Sequence, residues 1–352
     1  MTEKVTIREV AQAAGVSRST VSRYFNHNGY LSDEARHRIE TAIRRVGYEP
    51  NLVARGLKSG TSRMIVLSVP DIGNPYYARM AKAAQALCNA HGYALVLMDT
   101  GDGADGERET LALARQVCAA GILNATTGTC GHIPPVGIPM AGMCAYEEPG
   151  LHDVVTVSRS GGVCLAVQHL AALGHRRIAF VGGRRDSAIE RGRLNSFLDQ
   201  MAREGLPAPA ALIRERGFNQ EDGYAAAREL MALPDRPTAM CCANDLLAFG
   251  AMRALNELGV GIPGRVSVTG MDDLPYAPIT SPELTTVTND GAAFVTEAFG
   301  MLIERIEGRY DGPGRRVEIP NRLIVRASTR APDEDGMIVA HATSYIEGGN
   351  TQ

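Results

Sequence analysis

The 352-residue sequence predicts an all-α N-terminal helix-turn-helix head followed by a two-lobed α/β body, its parallel sheets flanked by helices. Three observations predict it. Residues 6–26 follow the order cap, apolar helical face, turn, cap, second helix. From Met64 onward short apolar runs alternate with helical spacing, the mark of βαβ units and a parallel sheet. After residue 160 that alternation restarts, which divides the body into two similar lobes.

In the head, Thr6 is placed to cap a first helix, and Glu9 three residues on completes a capping box. Ile7, Val10, Ala11 and Ala14 fall at i, i+3, i+4 and i+7 and form one apolar face. Gly15 supplies the turn, where a residue without a Cβ takes a positive φ. Ser17 caps a second helix, which turns Val21 and Phe25 inward and Arg18, Ser19, Thr20 and Arg23 outward. Ser32, Asp33 and Glu34 begin a third helix. Ile39, Ala42, Ile43 and Val46 repeat its period and Gly47 ends it, closing a head of residues 1–47. Residues 48–62 read as a hinge, with Pro50, a short amphipathic segment through Leu57, then a Gly/Ser/Thr linker. Such a segment is too short to hold a helix alone in water; it can fold when DNA and a partner copy supply contacts.

The body, 63–331, reads as the run Met64–Val69, a helix over about Pro75–Gly92, the run Ala94–Met98, a helix over about Glu107–Ala120 and the strand Gly121–Leu123. The second lobe opens with a helix ending at Leu173–His175. Strands follow at Ile178–Gly182, Leu212–Arg214, Ala239–Ala243 and Ser267–Gly270. Between them lie helices over Arg191–Gly205, Gln220–Leu233 and Ala248–Leu258. Residues 332–352 are polar, Gly-bearing and aperiodic, and read as a disordered tail.

The net charge of −3 hides a division. Residues 1–63 hold 11 Lys and Arg against 6 Asp and Glu, while the remainder holds 25 against 33. A basic head on an acidic body is the electrostatic footprint of a nucleic-acid binder, and the acidic body keeps DNA off the wrong surface. The seven cysteines show no CxxC or Cys/His ligand spacing, so reduced thiols and no metal site are expected. The N-terminus lacks a secretory h-region, and no apolar run approaches the roughly 20 residues of a membrane span. A cytoplasmic, nucleoid-associated chain without a membrane partner or cofactor is the expectation.

These motifs resemble the lactose-repressor (LacI/GalR) family of transcription regulators. The head carries Val16-Ser17-x-x-Thr20-Val21-Ser22-Arg23, and the hinge Pro50-Asn51-x-x-Ala54-Arg55-x-Leu57. The body carries Asp71-x-x-Asn74-Pro75-Tyr76-Tyr77, Leu173-Gly174-His175, Ala243-Asn244-Asp245, Gly270-Met271-Asp272-Asp273 and Leu284-Thr285-Thr286-Val287. The resemblance covers residues 5 to about 330. It implies a periplasmic-binding-protein-like body of two lobes joined by three crossovers. The N-lobe would be about 63–157 with 290–320, and the C-lobe about 158–288 with 321–330.

For DNA, the resemblance implies base reading by Arg18, Ser19 and Arg23 in the major groove, with Ser17, Thr20, Ser22 and Asn26 as caps and phosphate contacts. From the hinge it implies Asn51, Ala54 and Leu57, with Leu57 as a minor-groove wedge that kinks the duplex. Gly56 departs from the helix formers of relatives and implies a hinge that folds less readily off DNA. For a small-molecule effector it implies Asn74, Tyr76 and Tyr77 from the first lobe and Arg193, Phe218, Asn244 and Asp272 from the second. That set suits a sugar or sugar derivative: carboxylate, amide and guanidinium for hydroxyls, aromatic faces for the ring.

Other departures bear on the effector. Val157–Arg159 reads Val-Ser-Arg where relatives often carry an Asp-Asn pair, and Arg159 would either favour an anionic group or pair on the surface. The stretch Asn124–Pro135 is short and rich in Gly and Thr, and Asn-Asp-Gly follows Thr288.

The leading reading is a homodimeric repressor on a pseudo-palindromic double-stranded operator, controlled by an effector between the lobes. The alternatives are a soluble sugar receptor without DNA function, or a regulator whose corepressor or protein partner tightens binding. Signatures of an enzyme, such as Gly-x-Ser-x-Gly, a P-loop or His-Glu-x-x-His, are absent.

Overall fold

The computed structural model describes residues 5–26, 30–48, 62–101, 104–125, 137–143, 152–157, 161–184 and 187–332. The chain divides into two compact units, Met1–Ser62 and Arg63–Gln352.

In the first unit, α1 (Ile7–Ala14), α2 (Arg18–Asn26) and α3 (Asp33–Val46) enclose a small core of Val10, Ala11, Ala14, Val21, Ile39 and Ala42. At the start of α1 the Glu9 carboxylate accepts from the Thr6 N–H at 2.6 Å and its hydroxyl at 2.9 Å, which holds the Glu9 carboxyl below its usual range. Gly15 takes the left-handed conformation at φ 62°. There Arg38 of α3 donates to the carbonyls of Ala14 at 3.0 Å and Gly15 at 2.8 Å. One guanidinium thus satisfies helix-end acceptors that α1 leaves open and ties α3 to the turn. Phe25 packs edge-on against Tyr24 and tilted against Tyr48, closing the far side of the core.

The second unit contains two six-stranded sheets of the same design. The first uses β1 (Met64–Val69), β2 (Ala94–Asp99), β3 (Gly121–Asn124), β4 (Met140–Met143), β5 (Asp153–Val157) and β11 (Arg316–Ile319) in the order β11-β5-β4-β3-β1-β2. The second uses β6 (Ile178–Gly182), β7 (Ile213–Glu215), β8 (Ala239–Cys242), β9 (Ser267–Met271), β10 (Thr285–Val287) and β12 (Leu323–Ile324) in the order β12-β10-β9-β8-β6-β7. All pairings are parallel except β10 with β12. The central strands are buried along their length, as parallel sheets covered on both faces require.

The helices are α4 (Pro75–Ala90), α5 (Ala104–Gln116), α6 (Val163–Ala172), α7 (Ala188–Arg203), α8 (Gln220–Met231), α9 (Asp245–Glu257) and α10 (Gly291–Ile306). The chain passes between the sheets three times: after β5, after β10, and between β11 and β12. After the second passage α10 returns to the first sheet, where Phe294, Val295, Ala298 and Leu302 join Ala141 and Val155 in one core.

Two buried polar nodes hold these returns. Asp153 accepts from Arg305 at 2.8 Å and from Arg315 at 2.9 Å, joining β5, α10 and the entry to β11. Burial alone would raise the Asp153 carboxyl, but the two guanidinium bonds win and hold it down at about 2. His175 bonds Thr238 at 2.9 Å, Ser267 at 3.0 Å and the Arg330 carbonyl at 2.9 Å. It fastens the last passage to the second sheet, and burial lowers its pKa.

The elements named from the sequence agree in order and type, but α10 and strands β4, β5, β10, β11 and β12 are not among them, and several helix starts differ. The helix expected from Arg191 begins at Ala188 behind the cap Ser187, and the one expected from Ala248 begins at Asp245 behind Asn244. The helix expected from Glu107 begins at Ala104 and ends at Gln116. In the first two, a polar cap sets the start a turn before the apolar period does.

Candidate functional site

In the head, Arg18, Ser19 and Arg23 stand exposed on α2. Ser17 caps that helix, its Oγ accepting from the Thr20 N–H at 3.1 Å. The same Oγ lies 2.7 Å from Ser19 Oγ and 2.8 Å from Thr20 Oγ1. Thr20, expected outward, is half-buried against this cap, and Ser22 is half-buried too. The three hydroxyls form a rigid first turn from which the arginines project, a geometry suited to entering a groove N-terminus first. Asn26 ends α2. Hinge residues Asn51, Ala54, Gly56 and Leu57 lie outside the described residues, as do Arg159 and most of Asn124–Pro135.

In the body, the residues assigned to the effector follow the carboxyl ends of strands. Asn74 follows β1, Phe218 follows β7, Asn244 follows β8 and Asp272 follows β9. Both sheets reverse their order beside the first strand of each set, and open α/β sheets bind ligands at such switch points.

Asn74 is buried and caps α4, accepting from the Tyr76 N–H at 3.0 Å. That cap carries Tyr76 and Tyr77 on the first turn, their rings in T-shaped contact at 5.1 Å. Tyr76 is buried, and burial pushes its hydroxyl well above the usual pKa, with the neighbouring Asp272 adding to the effect and Arg193 opposing it. Asp272 is buried with φ 115°, a backbone conformation that costs an aspartate energy and recurs at ligand clamps. Burial pushes its carboxyl up to about 6, against the pull of Arg193, an Asn289 hydrogen bond and Arg79. Tyr76, Arg193 and Asp272 therefore share one electrostatic environment, though 117 and 79 residues separate them in turn.

Asn244 is largely committed to structure. Its Oδ1 caps α9 by accepting from Leu247 N–H at 2.8 Å, and its Nδ2 donates to the Phe218 carbonyl at 2.9 Å. One N–H and one lone pair remain for a ligand. Phe218 is half-buried, its ring against Gly183, where a Cβ would overlap it.

Several residues that the sequence reading left unassigned complete the site. Asp245 accepts from Leu274 N–H at 2.7 Å and Thr286 Oγ1 at 2.6 Å, pinning the strained loop that carries Asp272. Asn289 donates to Asp272 at 3.3 Å. Asp290 caps α10 through Ala292 and Ala293. Arg79 of α4 donates to the Asp273 carbonyl at 2.9 Å and so bridges the two lobes. The Asn-Asp-Gly departure after Thr288 thus supplies one site partner and one helix cap. Glu190, fully buried beside Arg193, is the other addition. Among the described residues no group of three His, Cys, Asp or Glu side chains could hold a metal ion, and no helix is long and apolar enough to cross a membrane.

Comparisons with known proteins bear on both units. The family described as "Bacterial regulatory proteins, lacI family" matches residues 6–51, and "Periplasmic binding protein-like domain" matches residues 167–329. The HTH-type transcriptional repressor PurR of Escherichia coli O139:H28 is 31% identical over 333 residues, covering 92% of this chain and 96% of that protein. A crystal structure of the lac repressor dimer bound to operator and the anti-inducer ONPF aligns with a TM-score of 0.81 at 25% identity, covering 94% of this chain and all of that one. A complex of the transcriptional regulator CelR with cellobiose aligns with a TM-score of 0.68 at 26% identity, over 92% of this chain and 100% of that one.

Proposed function

The chain belongs to the lacI family of bacterial regulatory proteins, and from that premise we propose how its residues divide the work of a repressor. It is a DNA-binding transcriptional repressor controlled by a small-molecule effector, and it is not an enzyme. Residues 1–47 form the DNA-reading head, 48–62 the hinge, and 63–331 the body that binds effector and dimerises. It works in the cytoplasm, on the nucleoid. Arg18, Ser19 and Arg23 read base edges, while Ser17, Thr20, Ser22 and Asn26 set the helix on the phosphates. Asn51, Ala54 and Leu57 take the minor groove at the centre of the site. Two copies bind a pseudo-palindrome, because a single head offers few contacts and the motif pairs by two-fold symmetry. The lac repressor dimer on its operator supports that reading.

The effector lies between the lobes, touching Asn74, Tyr76, Tyr77, Arg193, Phe218, Asn244 and Asp272. One observation carries this assignment: Tyr76, Arg193 and Asp272, from three separate segments, share one electrostatic environment at the strand ends. Polyol recognition fits the mixture of acid, amide, guanidinium and aromatic faces, and CelR, which aligns over this length, is complexed with cellobiose.

The test is selection of duplexes from a random library by the full chain. A pseudo-palindrome should be enriched, with affinity falling steeply as salt rises. Failure to enrich any sequence, or a flat salt profile, would overturn the reading in favour of a receptor without DNA function.

A further inference from the structure

Buried acids normally have well-formed hydrogen bonds, and among the described residues Glu190 has few. Its side chain is fully buried, yet among the described residues neither carboxylate oxygen has a well-formed hydrogen bond, the Gly183 N–H acting on it only as a poorly aligned donor. The position makes this unusual. Ser187 caps α7 by accepting from the Glu190 N–H at 3.4 Å, so Glu190 stands third in the helix. A glutamate there ordinarily reaches back to the cap's own N–H. Here that N–H is already bonded to the Arg184 carbonyl at 3.1 Å, and the side chain turns toward the end of β6.

Two consecutive glycines make room for it. A Cβ on Gly182 would overlap the Glu190 carboxylate, and a Cβ on Gly183 would overlap the Phe218 ring. The carboxylate therefore lies at the strand end that also seats Phe218. Arg193, one turn further along α7, and Glu215, at the end of β7, both act on it electrostatically. Arg193 acts in turn on Tyr76 and Asp272.

We infer that Glu190 is a specificity-determining contact of the cleft, and that the effector presents to it a cationic nitrogen, an amine or amidine on a small polar scaffold. The inference rests on the reading of the cleft as the effector site. Charge balance selects the ligand class. Glu190, Glu215, Asp272 and Asp290 act on this neighbourhood against Arg193 and Arg79. A phosphate or carboxylate would add to the acidic side. A lone hydroxyl would add one donor and no charge, whereas an ammonium or amidine supplies two or more donors together with the missing charge. Burial raises the Glu190 carboxyl to about 7, against the pull of Arg193 and of the Gly183 N–H.

The test uses the full chain at pH 7.5, thermal shift and calorimetry, and matched probes. These are glucosamine, galactosamine, putrescine and agmatine against glucose, galactose, gluconate and glucose 6-phosphate. An amine or amidine probe should raise the melting temperature while its neutral and anionic counterparts do not. Glu190→Gln keeps the shape and the helix position. It should raise the melting temperature of the ligand-free protein and weaken that probe at least about tenfold. A structural role predicts the opposite sign in the ligand-free protein, so a fall there overturns the inference. So does a panel in which no cationic probe binds, or a probe that binds Glu190→Gln as well as the parent. Arg193→Ala separates the two levels. A probe lost in Arg193→Ala but unmoved in Glu190→Gln leaves the cleft in place and removes Glu190, whereas one unmoved by either removes the cleft as well.

Discussion

The head and the cleft hold their polar side chains in opposite ways. On α2 the backbone is fixed by the Ser17 cap and by Arg38 on the Gly15 turn, while Arg18, Ser19 and Arg23 extend into solvent. In the cleft the side chains themselves are fixed. Tyr76, Asp272 and Glu190 are buried, Asp272 on a strained backbone and Glu190 without a well-formed hydrogen bond among the described residues. A surface that reads DNA gains by leaving its charges hydrated until phosphate and base edges replace the water. A pocket for a small ligand offers little contact area, so its specificity depends on groups placed beforehand at a cost in stability. Substitutions of those exposed head side chains should therefore alter binding with little effect on folding, and those in the cleft should trade binding against folding.

The largest expected effect sharpens that contrast by showing what a fully partnered buried acid is worth. Asp153→Ala should destabilise the body by about 3–5 kcal/mol, since it strands the Arg305 and Arg315 guanidinium groups. Urea unfolding of the variant beside the parent measures this, and a loss below 1 kcal/mol would make the node incidental.

Next in size is the pH dependence. Asp153 sits below its unfolded value, so its contribution is present above about pH 4 and is lost as pH falls toward 2. His175, lowered by burial, likewise loses stability as pH falls below its ordinary 6.5. Glu190 and Asp272 run the other way. Raised from 4.5 to about 7 and from 3.8 to about 6, they favour the fold at low pH and lose that contribution as pH rises through those values. For Glu190 the difference is about 3 kcal/mol. Melting temperatures of Glu190→Gln and the parent should converge near pH 4.5 and separate above pH 7, with the variant higher.

Smaller effects belong to the head. Arg18→Ala should cost about 1–3 kcal/mol of discrimination at one base position in each half-site, read by competition between operators differing there. Equal loss on every sequence would assign Arg18 to phosphate instead. Gly15→Ala should cost about 1–2 kcal/mol, from the left-handed φ and the contact its Cβ would make with Arg38. Calorimetry should place that loss in the head's transition and leave the body's unchanged.

The same contrast governs what could be read from the sequence. Head signals are local: Thr6 with Glu9, Gly15, and Ser17 with Thr20 all act within a few residues. The α/β repeat was legible where strand and helix each carry a local period, and was missed at β4, β5, β10, β11, β12 and α10. Cleft contacts are not local. Nothing near Asp272 in the chain points to Asn289 or Arg79, and Asp245 reads as an ordinary helix start until its bonds to Leu274 and Thr286 are seen. Glu190 could have been flagged as the third residue behind Ser187, but only packing against Gly182 reveals that it does not close a capping box.

The central claim is that the cleft controls the head. The direct measurement is the operator affinity of the full chain, by fluorescence anisotropy, with and without a ligand that raises the body's melting temperature. Coupling predicts a change of roughly 5- to 150-fold that disappears in Asp272→Asn. A ligand that binds the body tightly and leaves operator affinity unchanged would contradict the account.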